Sequence, residues 1–217
     1  MAGDKMTHSI PLLRIPDWSD QALQMLSFWL GYQHSIGVKG NLSEGAIAWE
    51  LFRLISGKLS GEQFAHTEVM YSKIPEFASQ VEVADRRFRA DVIIVAQSAT
   101  PKSGEQFPEG TVKAVLEVKH NQSGLKQVWS DIDYMSRIST DALENPRMFL
   151  IYASTEERPK RFVTPDGTAV RAWLYTKNKS PFKVRCVKRA MRLSSGRNEN
   201  SNGNYAVLIE IFPKRKE

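Results

Sequence analysis

The sequence predicts one α/β domain: a mixed β-sheet flanked by helices. Three observations carry this. Segments with helical apolar spacing alternate with short β-branched runs along the 217 residues. No internal repeat or long low-complexity linker divides the chain, and its length suffices for one substantial core. With 41% hydrophobic and 25% charged residues, it has the composition of a folded globular protein rather than a disordered or fibrous one.

The elements follow in order. DWSDQALQMLSFWL (17–30) reads as an amphipathic helix capped by Asp17 or Ser19. After the loop HSIGVKGN, the segment LSEGAIAWELFRLISG repeats Ile47, Leu51, Leu54 and Ile55 at helical spacing and closes on Gly57. HTEVMYSKI (66–74) suits a strand, and FRADVIIVAQ (88–97), richer in β-branched residues, suits one better. A turn-rich connection (98–110) leads to a third strand, TVKAVLEVKH (111–120). GLKQVWSDIDYMSRIST (124–140) has helical spacing through Leu125, Val128, Trp129, Ile132, Met135 and Ile138. MFLIYAST (148–155) reads as a strand covered on both faces. RAWLYTK, FKVRCVK and YAVLIEIF complete the strands, and SSGRNENSNGN (194–204) between the last two is expected to be a mobile loop.

Charge is distributed unevenly. From Arg158 onward fifteen Lys/Arg stand against four acids, a balance of +11, whereas the first 157 residues carry fifteen against twenty, −5. A basic C-terminal third suits contact with a polyanion, most simply nucleic acid, or else a solvated surface. No apolar run is long enough to span a bilayer, so no membrane contact is expected. The N-terminus lacks the apolar core of a signal peptide, and the single Cys186 can make no internal disulfide; a cytoplasmic protein is expected. Walker-type and dinucleotide glycine loops, G-x-S-x-G and zinc-ligand clusters are all missing.

The chemistry concentrates in AVLEVKHN (114–121). Strand alternation puts Val115, Glu117 and Lys119 on one face and Leu116 and Val118 on the other. Two opposite charges on a buried strand are either a structural ion pair, with Asp91 available to satisfy Lys119, or a site. Burying them costs on the order of several kcal/mol per ion before pairing, which favours the site. Asp91 opens the preceding apolar run, so pairing of the two strands would bring it to Glu117. Adjacent carboxylates repel unless a cation joins them. Oxygen ligands without His or Cys suit Mg²⁺ or Mn²⁺, with the Val118 carbonyl as a third protein ligand. Lys119 would serve the attacking water and stabilise charge on a phosphate. Glu44 lies on the sheet-facing stripe of its helix and either joins the metal site or, with Asn41, forms a capping pair. Glu50, beside Arg53 on another face, is expected to be solvated.

An acid on an early helix, then Asp, a variable gap and Glu-x-Lys on the next strand resembles the PD-(D/E)XK nucleases. Here the parts are Glu44, Asp91 and Glu117-Val118-Lys119, over roughly residues 37–153, with 158–217 as a basic C-terminal extension of the same domain. The usual proline before the aspartate is replaced by Ala90. The resemblance implies a restriction-endonuclease-like fold and a Mg²⁺-dependent DNA endonuclease, leaving 5′-phosphates and working as a homodimer or higher homo-oligomer. Lys39 to Gly45 with AVLEVKH is also similar to the cyclic-oligonucleotide-activated endonucleases of antiphage defence, which would add a nucleotide activator. A RecB-like or Cas4-like Gln-x₃-Tyr is not met, because the residue four after Gln127 is Asp131. Arg86, Arg87 and Arg89 would hold a DNA backbone or pair with Glu82 and Asp85, and His120 would approach a phosphate or be incidental. The alternatives to an endonuclease are a non-catalytic nucleic-acid-binding module of this fold and the nuclease subunit of a transposition or repair complex.

Overall fold

The structure, a computed structural model, describes residues 13–36, 42–82, 85, 87–96, 107–108, 110–139, 146–155, 157–191 and 203–214. It contains helices α1 (Asp17–Ser35), α2 (Glu44–Ser56), α3 (Pro75–Ala78) and α4 (Gly124–Ile138). Its strands are β1 (Gln63–Met70), β2 (Arg89–Ala96), β3 (Val112–His120), β4 (Arg147–Ser154), β5 (Leu174–Tyr175), β6 (Pro181–Met191) and β7 (Gly203–Ile211). All seven form one mixed sheet in the order β1-β2-β3-β4-β7-β6-β5, with β3 and β4 its parallel neighbours.

Alternation along the strands divides the core between the two faces. Val92, Ile94, Leu116, Val118, Phe149 and Ile151 meet α1 and α2 through Leu23, Leu26, Ile47 and Leu51. On the opposite face Ile93, Val115, Leu150 and Val207 meet Val128, Ile132 and Met135 of α4, with Phe162 and Phe182 filling the remainder. Strand β7 is buried at every position, which explains its nearly unbroken apolar sequence. Its one charge, Glu210, is answered by Arg147, at 2.8 Å, and by Arg185. The basic C-terminal third thus supplies interior strands, β7 between β4 and β6.

Several expectations change. Helix α1 follows Pro16 and has no side-chain cap: the Ser19 hydroxyl donates back to the Pro16 carbonyl at 2.6 Å, and Asp17 is the first helical residue. Helix α2 is capped by Ser43, whose hydroxyl accepts from the Ala46 N–H at 3.1 Å; Asn41 lies outside the described residues. Glu50 is buried rather than solvated, gripped by the Arg53 guanidinium at 2.6 and 2.9 Å. The strand expected at 66–74 instead spans 63–70 and breaks into a one-turn 3₁₀ helix at Tyr71–Lys73. RAWLYTK keeps only two strand residues, Leu174 and Tyr175, and Trp173 before them packs edge-on against Phe212, centroids 4.8 Å apart. Leu125 is exposed. The mobile-loop expectation for 194–204 lies outside the described residues except for Gly203 and Asn204, which open β7.

Candidate active site

Antiparallel pairing sets the start of β2 beside the end of β3. The ladder pairs Val92 with Leu116, and its continuation would place Ala90 opposite Val118. There the Val118 N–H donates at 2.7 Å to Asp91 Oδ2, so a side chain takes a position that the ladder would otherwise fill. Residues in such ladders project N–H and C=O to the same edge, so the Val118 carbonyl is expected to point to the β2 side as its N–H does.

Asp91 and Glu117 share the face covered by α4, and each carboxyl is close enough to shift the proton affinity of the other. Burial and then the neighbouring Asp91 charge push the Glu117 carboxyl well above its ordinary range, against hydrogen bonding from Tyr71 and the charge of Lys119. Burial likewise raises Asp91, only partly offset by the Val118 N–H and Lys119. The Tyr71 hydroxyl, on a fully buried ring, donates to Glu117 Oε1 at 2.7 Å, and burial together with Glu117 keeps that phenol protonated. The two half-buried carboxyls are therefore held together and compete for a proton.

Lys119 projects from the same face, but its ammonium is held elsewhere. It lies 3.2 Å from Glu44 Oε2 and 3.1 Å from Asp131 Oδ2. Burial works against its charge, yet Asp131 and then Glu44 more than compensate and keep it firmly protonated. Asp91 is thus not its ion-pair partner. Glu44, at the start of α2, accepts in addition the His120 N–H at 3.1 Å and the Ser123 hydroxyl. Burial alone would raise the Glu44 carboxyl, but Ser123, His120 and Lys119 together hold it below its usual value. The structure therefore brings Asp91, Glu117 and Val118 together and sets Glu44, with Lys119, in an adjoining cluster. Among the described residues no three His, Cys, Asp or Glu side chains are grouped as a metal cage.

Sequence reasoning missed Asp131 and Tyr71. Asp131 had a signal: it follows Val128 by three and precedes Met135 by four, an acid beside the buried stripe of α4. Tyr71 had none, because its role depends on the chain turning after β1. Gln127 is exposed. His120 is buried, its Nε2 3.3 Å from the Thr155 hydroxyl, and its N–H rather than its ring meets the site. Arg137 is the partner of Glu82 and Asp85, at 3.4 and 2.7 Å, and Arg89 stands 3.8 Å from Glu68; Arg86 lies outside the described residues.

A cleft of about 1610 Å³ opens between β3, α4 and the 177–180 turn, with Glu117, Asp131 and Tyr134 among its walls. Lys126, Lys177 and Lys214 line it as well. Among the described residues, no helix is long and apolar enough to cross a membrane. No protein-family model, curated protein or solved structure matches this chain.

Proposed function

We propose that the protein is a Mg²⁺-dependent DNA endonuclease of the PD-(D/E)XK kind, on a restriction-endonuclease-like variant of its α/β sheet. The observation that carries the reading is the carboxyl pair Asp91–Glu117 where β2 and β3 part, with Lys119 on the same face. The pair fits a hard cation: two half-buried carboxyls compete for a proton, and strand geometry turns the Val118 carbonyl to the same edge as its N–H. Asp91, Glu117 and that carbonyl would hold Mg²⁺ or Mn²⁺. The ion, when bound, would polarise the scissile phosphate and acidify a water.

The rest of the chemistry belongs to the side chains. Asp91 and Glu117 accept hydrogen bonds from the attacking water and orient it. Lys119 offers a permanent cation to charge building on a phosphate oxygen. Glu44 and Asp131 act through Lys119 as positioning residues. Attack of water at phosphorus breaks the bond to the 3′ oxygen, which takes a proton and leaves a 3′-hydroxyl and a 5′-phosphate. A homodimer would place one such centre on each DNA strand.

Supercoiled plasmid tests the reading. Wild-type protein with Mg²⁺ is expected to nick and linearise it, EDTA to stop the reaction, and Glu117→Ala and Lys119→Ala each to slow it at least about 100-fold. Nicking that persists in both variants refutes the assignment. A second reading, a non-catalytic nucleic-acid-binding module, is favoured by one feature: Lys119 is already saturated by Glu44 and Asp131. It predicts DNA binding without cleavage.

A further inference from the structure

The cleft beside Glu117 joins cationic groups to an aromatic ladder. Phe88 is 51% exposed on its rim. Its ring packs edge-to-face on Tyr134, centroids 5.2 Å apart and planes at 87°. Tyr134 packs similarly on Tyr71 at 5.4 Å, and the Tyr71 hydroxyl reaches Glu117. A continuous aromatic path therefore runs from solvent to the carboxyl pair. Around it Lys126, Lys177 and Lys214 carry no ion pair among the described residues, whereas Arg89 and Arg137 are engaged by Glu68, Glu82 and Asp85. The cleft thus offers uncommitted positive charge and an exposed ring within one opening.

We infer that this cleft binds an unpaired nucleic-acid strand, with a base stacked on Phe88 and the phosphates drawn along Lys126, Lys177 and Lys214. In a duplex the faces of each base are covered by its neighbours; in a single strand they are open, and an aromatic side chain at a basic groove captures them without regard to sequence. A duplex would use the lysines, but it would offer Phe88 a base face only after the cost of unstacking a step. The inference deepens the nuclease reading and rests on it for the strand's purpose, delivery of a phosphate to Glu117; the binding step can be measured separately.

The test is fluorescence anisotropy in EDTA with a labelled oligothymidylate and a blunt duplex of equal length. Wild-type protein is expected to bind the single strand more tightly. Phe88→Ala should weaken strand binding by about fivefold or more and leave the duplex within about twofold. Phe88→Trp should retain the strand affinity. Lys126→Gln and Lys214→Gln should each lower the salt slope for the strand by roughly 0.7. Equal affinity for strand and duplex, no effect of Phe88→Ala, or loss in Phe88→Trp as well would each overturn the inference. If Mg²⁺-dependent nicking is absent while the Phe88-dependent preference persists, the nuclease reading falls and the strand site stands.

Discussion

Glu117→Gln should make the metal-free protein more stable at neutral pH. Glu117 is densely surrounded and faces Asp91, and both circumstances favour its protonated form. The folded chain therefore holds the proton more tightly than the unfolded chain, whose Glu titrates near about 4.3. Stability falls as pH rises through that value, and the full deficit is present above the raised folded value. Each tenfold difference in proton affinity is worth about 1.4 kcal/mol. For a domain of this size that corresponds to roughly 3–6 °C in Tm. The amide cannot ionise, yet its oxygen still accepts from Tyr71 and its nitrogen can donate to Asp91, so the packing is kept. The assay is thermal unfolding in EDTA from mildly acidic to neutral pH. The variant should gain on the wild type as pH rises and match it in acid. Added Mg²⁺ should raise the Tm of the wild type and leave the variant nearly unchanged. A variant less stable than wild type at neutral pH, or a difference that ignores pH, would refute the account of the carboxyl pair.

Two further outcomes follow from named contacts. Asp131→Asn removes one of the two partners of Lys119 while Glu44 remains, so urea unfolding should show a loss of about 1–2 kcal/mol, and plasmid nicking should slow with the Mg²⁺ requirement unchanged. Glu210→Gln leaves Arg147 and Arg185 facing a neutral group in the interior, and the same measurement should show about 3–5 kcal/mol lost with nicking per folded molecule preserved.

Much of the architecture was legible because it is periodic. The alternation in FRADVIIVAQ and TVKAVLEVKH separates the two sheet faces, and the spacing of Ile47, Leu51 and Leu54 marks the buried side of α2; both are repeats a few residues long. Boundaries were less legible, because they depend on contacts distant in sequence. Trp173 packs against Phe212 just before a two-residue strand, and Ser19 turns its hydroxyl to the Pro16 carbonyl instead of capping α1. Glu50 was misjudged because a bidentate grip by Arg53 allows a carboxylate to be buried where a lone one would stay in water.

The site divides along the same line. Spacing alone places Glu117 and Lys119 on one face of β3, since side chains alternate on any strand. Register brings Asp91 to Val118, and register belongs to the pairing of two strands separated by a long connection. The direction in which the Lys119 ammonium points was decided by α4, which lays Asp131 beside it, and by α2, which brings Glu44 to the same end of the sheet. Local periodicity can assign a charge to a face; which opposite charge it meets there depends on how distant helices pack, and a linear pattern carries no record of that.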